Sequence, residues 1–314
     1  MDKSLVGHAT LAVVASALAY VAWTAPKPDK DDTVIMVPGA ADKLTNILWH
    51  EDGWDVSVAR EGEGVNVTAA KTGAAIVATP EASKSFPGSK EAEDLFGKLA
   101  PLKAARALGK LDPEHIKAMG LETPKSSLTL KFGATDKKVE VGDAAYGTGD
   151  FYGRTAEGDI FLIPAATLST VRRGGASLMD RGLIAVKEEK VEHLTITGTT
   201  GGRELVQRFA EDRTKAFYAD PAEPEAKLET AGNWLNRLFR LRVVDMVSDA
   251  PTGTPVVEVE LFGAKGSLGT LKIWSAGDKT ALAQSSRFKS MVSVSKAEVD
   301  ALVKDLDSVV SEGK

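Results

Sequence analysis

The chain has 314 residues, of which 43% are apolar and 26% charged, a length that allows about two folded domains. Such a composition excludes wholesale disorder and a polytopic membrane protein. Lys and Arg number 39 against 44 Asp and Glu, a net charge of −5, which argues against a protein that holds nucleic acid through a broad basic face. With no cysteine there is no disulfide scaffold, thiolate metal site, Cys nucleophile or lipid-bearing N-terminal Cys. Aromatics are only 6%, so the core must be built mainly from Val, Leu, Ile and Ala.

Residues 5–25, LVGHATLAVVASALAYVAWTA, carry no formal charge. At about 1.5 Å per residue this run is long enough to cross a hydrocarbon core of about 30 Å as a helix. Tyr20 and Trp23 stand near its far end, where amphipathic rings favour the interface. The expectation is a retained single-pass anchor. The alternatives are a signal peptide cut after Ala17-Leu18-Ala19 and a buried soluble helix. Residues 26–40 follow as an extended linker, opening Pro26-Lys27-Pro28-Asp29-Lys30. Lys3 on one side and Lys27 and Lys30 on the other encode orientation weakly. A short N-terminal segment before a large body suggests a cytoplasmic N-terminus, with the body periplasmic. Setting aside the first 26 residues leaves the −5 with the body.

The body begins with strands. A strand is expected over 44–49, a turn at Glu51-Asp52-Gly53, an alternating strand over 54–58 and another over 64–70. The stretch 80–89 is rich in Ser, Lys and Pro and reads as loop. A helix is expected from Lys90 to about Leu108, with Leu95, Phe96, Leu99 and Leu102 on one face and a kink at Pro101. Asp112-Pro113 starts a short helix that Gly120 stops. Strands follow over 128–133, 138–142, 151–154 and 160–163, and a helix closes the unit over 164–171.

The second half runs through the same programme. Strands over 191–197 and 203–209 flank Gly201-Gly202, a helix covers 225–242, and strands cover 256–263, 270–274 and 286–294. A helix over 295–310 ends it. Phe132-Gly133 matches Phe262-Gly263 at an offset of 130 residues, and Val141 matches Ile273 at 132. A near-constant offset across several elements points to duplication. The expected fold class is α+β: an N-terminal transmembrane helix, then two related units, 41–178 and 179–311, each an antiparallel sheet covered by helices.

These residues also carry a family resemblance. The hairpin ending in Asp52-Gly53-Trp54, the helix after Glu91 and the run Met119-Gly120-Leu121-Glu122-Thr123-Pro124 resemble the pattern of a bacterial family, domain of unknown function 4340. So do Val139-Glu140-Val141-Gly142-Asp143, Phe151-Tyr152-Gly153-Arg154 and Ile160-Phe161-Leu162-Ile163. The resemblance covers about 40–180 well and the second half more loosely. It implies an N-terminal membrane anchor, an extracytoplasmic α+β body and association with ABC-transporter components of the gliding-motility type. It brings no catalytic residues. The Gly-Leu-x-x-Pro pattern already has a backbone explanation: a left-handed helix stop, a residue packing back and an extended exit.

Catalytic grammar is sparse. His8, His50, His115 and His193 show no metal-ligand spacing, and a metal site would need them brought together by the fold. Ser286-Arg287-Phe288-Lys289 and Ser293-Val294-Ser295-Lys296 fit Ser-x-x-Lys, and Lys71-Thr72-Gly73 fits Lys-Thr-Gly. The order is wrong for penicillin-recognising enzymes, and Ser248-Asp249-Ala250 fails as Ser-Asp-Asn. Asp143, Asp150, Glu157 and Asp159 cluster in sequence without a calcium-loop pattern. Lys98, Lys103 and Arg106, and Arg237, Arg240 and Arg242, give two helices basic edges. The glycine-rich stretch from Gly147 leads into a strand, so it is not a phosphate loop. It is the one candidate interaction loop, with Gly147, Gly149, Asp150, Tyr152 and Arg154 as its residues.

No catalytic, cofactor or metal residue is therefore assigned. The expected protein is a non-enzymatic inner-membrane protein. It would serve as an interaction or accessory module of an envelope complex such as an ABC transporter, with protein partners and no nucleic acid. The alternative is a protein that holds a ligand or polymer in a cleft between the two units.

Overall fold

The computed structural model describes residues 33–71, 83–248, 250–275 and 277–312. The uncharged run at 5–25 and its alternative cleavage site lie outside them, as do His8, Thr72, Gly73 and Asp249. Among the described residues no helix is long and apolar enough to cross a membrane.

Strand β1 (Val34–Val37) falls inside the stretch read as linker, and Met36 and Val37 are buried there. A meander follows: β2 (Asn46–Glu51), β3 (Trp54–Glu61), β4 (Gly64–Lys71) and β5 (Ser83–Pro87). Gly53 turns the first hairpin at φ +81°, which costs glycine nothing sterically. β5 corrects the loop reading of 80–89. Its Phe86 is buried opposite Val67 of β4, a pairing that outweighs a composition rich in Ser and Lys.

Helix α1 (Lys90–Leu99) buries Ala92, Leu95, Phe96 and Leu99. It stops at Leu99 and does not run on to Leu108. Pro101 lacks an N–H and disfavours helical geometry in the residue before it, so the chain leaves as two short strands, β6 (Leu102–Ala104) and β7 (Arg106–Gly109). Helix α2 (Pro113–Ala118) has Asp112 as N-cap, its Oδ1 accepting from His115 N at 3.0 Å. Gly120 N donates to Lys117 O and Leu121 N to Ile116 O, both at 3.0 Å, with Leu121 fully buried. That is a Schellman stop, and it accounts for the Gly-Leu pair. Strands β8 (Ser126–Phe132), β9 (Thr135–Ala144), β10 (Phe151–Thr155) and β11 (Ile160–Ile163) lead to helix α3 (Ala165–Arg173).

The second half contains β12 (His193–Gly198), β13 (Gly202–Arg208), β14 (Phe217–Ala219), α4 (Glu229–Arg240), β15 (Val243–Val247), β16 (Val257–Gly263), β17 (Gly266–Trp274), β18 (Thr280–Ser285), β19 (Met291–Ser295) and α5 (Lys296–Ser311). α4 begins four residues later than its expected start at Glu225. β14, β15 and β18 are too short or too unevenly patterned to announce themselves, and residues 286–290, expected as strand, form the turn between β18 and β19.

Nine strands form the first sheet in the order β5-β4-β3-β2-β8-β9-β10-β11-β7, and eight form the second in the order β14-β13-β12-β16-β17-β18-β19-β15. β1 and β6 make a separate pair. Both sheets follow one route. A meander comes first, then a helix, then a strand placed at the far edge, then a second meander laid between them, then a closing helix. The register corrects one detail of the repeat. Leu128 pairs with Val139 as Val259 pairs with Leu271, all four buried, so β8 corresponds to β16 at an offset of 131. The Phe-Gly match at 130 is one residue out. Phe132 packs on the core, whereas Phe262 lies on the other face, stacked on His193 at 4.5 Å. A one-residue slip reverses the faces of a strand.

A single cluster of buried apolar side chains runs through both halves, and the chain from Val34 onward is one compact unit.

Candidate functional site

The two sheets meet through the connector at 179–182. Asp180 N donates to Pro87 O (2.9 Å) and Ser89 N to Leu178 O (2.7 Å), which lays the connector along the end of β5. Val243 N donates to Arg181 O (2.8 Å) at the start of β15. β5 and β15 are edge strands, whose open backbone groups otherwise invite pairing with another chain. Side chains reinforce the seam. Arg287 donates through Nη1 to Gly182 O (3.0 Å) and through Nη2 to Asp180 Oδ2 (2.6 Å). Arg181 Nη1 donates to the carbonyls of Val243 and Val244, both at 2.8 Å. Lys84 of β5 reaches Asp245 of β15 at 2.8 Å.

Beside this seam opens a cleft of about 540 Å³. Glu61, Asn66 and Ser85 line it from the first sheet, Lys90 and Glu93 from α1. Asp180 comes from the connector, Arg287 and Lys289 from the β18–β19 turn. Val65 and Phe86 form apolar floor. Gly88 is needed here, because a Cβ would stand 2.3 Å from Val65 Cγ2. The three cations and three anions are arranged as partners. Lys90 Nζ lies 4.0 Å from Glu93 and 2.7 Å from Asp94 behind it, Arg287 holds Asp180, and Lys289 Nζ lies 4.0 Å from Glu61. The hydrogen bond that Lys90 donates to Asp94 holds the pKa of its ammonium above the ordinary value. Fixed charges of both signs around a polar cleft suit recognition of a polar or charged chain segment.

Lys84 holds the Asp245 carboxyl below the usual carboxylate range through its hydrogen bond, against a smaller opposing push from burial. The folded value is depressed, so the tie contributes stability above the unfolded value of about 3.9 and loses it as pH falls through the lower folded value. Both side chains are largely exposed, so screening limits the tie to less than about 1 kcal/mol. Asp245→Asn is therefore expected to lower the urea midpoint slightly at neutral pH and not at all at a pH acid enough to protonate Asp245 in both the folded and the unfolded state. An equal gap at both pH values would contradict this origin.

The candidate interaction loop is divided by the fold. Gly147 and Gly149 sit at φ +87° and +73° in the β9–β10 turn. Asp150 Oδ1 accepts from Ala165 N at 3.1 Å, at the start of α3. Tyr152 and Arg154 alternate with buried Gly153 on β10, and Arg154 pairs with Glu140 at 2.6 Å. Asp150 and Arg154 thus have structural partners, and the exposed aromatic at the turn is Tyr146, which the sequence did not single out. The four clustered carboxylates separate. Asp143 and Asp150 lie at one end of β9–β10, Glu157 and Asp159 at the other. Of the Ser-x-x-Lys pairs, Ser293 bonds with Asp245, Ser286 with Thr270, and Lys296 with Asp300. Arg237 bonds Asp305, and Arg242 bonds backbone carbonyls. The expected basic edge of Lys98, Lys103 and Arg106 does not lie on one helix, since only Lys98 belongs to α1.

The family model for a domain of unknown function, DUF4340, matches residues 88–309, more than two thirds of the chain. The chain belongs to this family. The DUF4340 match takes in nearly all of the second half and leaves out β1–β5, so its extent differs from the 40–180 emphasis of the motifs. No curated protein and no solved structure matches the chain.

One more constellation of this DUF4340 body escaped the sequence. On the outer face of the first sheet, Asp55, His50 and Ser127 stand side by side on β3, β2 and β8. His50 Nδ1 lies 2.6 Å from Asp55 Oδ1. The order is that of an Asp-His-Ser triad, but a triad also needs donors aimed at a developing oxyanion. The backbone N–H groups of these inner strands are engaged in the ladders on either side. The His50–Asp55 half was legible, because the two flank the Asp52-Gly53 turn symmetrically. Ser127 arrives only through the tertiary pairing of β2 with β8. His115 pairs with Asp112, and among the described residues no three His, Asp or Glu are grouped to hold a metal.

Proposed function

We propose that the protein is a membrane-tethered extracytoplasmic binding module without catalytic activity of its own, an accessory of an envelope complex such as an ABC transporter. Its binding site is the cleft at the seam. The observation that carries this reading is the composition of the cleft: its walls come from the first sheet, α1, the connector and the β18–β19 turn, and charged pairs span them. The tether rests on the uncharged run at 5–25. The transporter association rests on the family resemblance.

Photo-crosslinking in intact membranes tests the reading. A photoreactive residue replacing Ser85, on the cleft wall, is expected to capture one discrete partner. Lys289→Glu is expected to reduce that capture about tenfold, since a like charge at an interface costs at least the 1.4 kcal/mol this represents. Lys289 is largely exposed and its contact with Glu61 is at 4.0 Å, so its replacement is expected to cost the fold little. Capture no greater than from a probe at Thr148, in the β9–β10 turn at the opposite end of the first sheet, would overturn the assignment. An adduct with an envelope polymer in place of a protein would favour the ligand-holding form of the same site.

A further inference from the structure

The end of the body from which the N-terminal segment departs has a distinct surface. β1 pairs with β6 so that Val34 lies opposite Ala104. Ala105 N donates to Leu162 O at 2.8 Å, Leu162 pairs with Tyr152, and Phe151 pairs with Ala144. The departure point of the chain therefore lies at the same end of the first sheet as the β9–β10 turn. At that end Tyr146 is fully exposed and Ile35 is 55% exposed. Lys103 and Arg106 are exposed on the adjoining strands, beside two carboxylates at the same end, exposed Asp143 and half-buried Asp150, the latter bonded to Ala165 N. An unburied Tyr at a turn tip, exposed aliphatic side chains and basic residues together are what a membrane interface accepts. Amphipathic rings settle among headgroups, and Lys and Arg are drawn to anionic lipid. The chain beyond supports that occupant. Between the uncharged run at 5–25 and β1 lie eight residues, a leash of at most about 28 Å when extended.

We propose that this end of the body rests on the membrane surface, with Tyr146 in the headgroup layer and Lys103 and Arg106 facing anionic headgroups. The proposal rests on the tethered reading above. Its partner is the bilayer, not a second protein.

The absence of natural cysteine makes the test direct. The full chain carrying Thr148→Cys, labelled with an environment-sensitive fluorophore, is reconstituted into vesicles containing phosphatidylglycerol. Lipids bearing a headgroup-level quencher are added. A second full chain carries the label through Ala134→Cys at the other end of β9, whose ten residues span about 33 Å. The expected result is at least twofold stronger quenching at position 148 than at 134, reduced toward the control by Tyr146→Ala together with Arg106→Glu. Equal quenching at both positions in chains that float with the vesicles would overturn the contact and leave the tether standing. Chains that fail to float would overturn the tether, and the contact with it.

Discussion

Arg203→Ala is expected to cost about 3–5 kcal/mol of folding stability, the usual loss when one partner of a buried ion pair is removed. Arg203 sits on the core face of β13 with its side chain only 4% exposed. In the first half the corresponding position holds Val56: Trp49 pairs with Val56 and Leu128 as Ile196 pairs with Arg203 and Val259. A guanidinium is tolerated there because it is bonded on several sides. Nη2 donates to Asp220 Oδ2 at 2.9 Å, and Nη1 donates to Val309 O at 3.0 Å and to Glu312 O. Those carbonyls form the end of α5, where a cation complements the helix dipole. Glu312 then passes the connection on, its carboxylate accepting from Thr230 N (3.1 Å) and Ala231 N (3.0 Å) at the start of α4. Arg203→Lys keeps the charge but loses the planar fork, and an intermediate loss is expected. Urea unfolding measures both, and variants that unfold at the wild-type midpoint with an unchanged slope would show that the cluster carries no stability.

The second large effect is expected at Trp234. Its side chain is 1% exposed on α4, and Nε1 donates to Leu302 O within α5 at 2.8 Å. Trp234→Ala removes the largest side chain between the two helices and should cost about 3–5 kcal/mol. Trp234→Phe retains most of the packing and loses the bond, so about 1 kcal/mol is expected beyond the small change in volume. Equal losses for Ala and Phe would place the energy in the hydrogen bond, not the packing. Trp234 and Arg203 both hold α5, so their losses should not add, and a double-mutant cycle would read the coupling.

Wherever one face of an element repeats with a clean period, the sequence was readable. The alternation of 54–58 and 138–142 and the helical spacing of Leu95, Phe96 and Leu99 all correspond to elements, as do the cap at Asp112 and the stop at Gly120. It failed where the pattern was short or interrupted. Three-residue β6 and β14 cannot show a period, and leucine spacing alone carried the expected α1 past Pro101. In the sequence the candidate loop is marked by its glycines. Those glycines serve the turn, while the large exposed side chain there is Tyr146. The seam cleft was invisible, since Glu61, Lys90, Asp180 and Lys289 are remote in the chain and none stands out by type.

By itself the sequence determined the α+β class, the repeated order of elements, the family and the exclusion of thiol chemistry. Local periodicity, turn residues and composition carry that information over short spans. Only the tertiary structure decided the register of the repeat, the burial of Arg203 where its counterpart is Val56, and the joining of two sheet edges by the connector at 179–182. Those features depend on which backbone groups and charges meet after distant segments pack, and no local pattern records such a meeting.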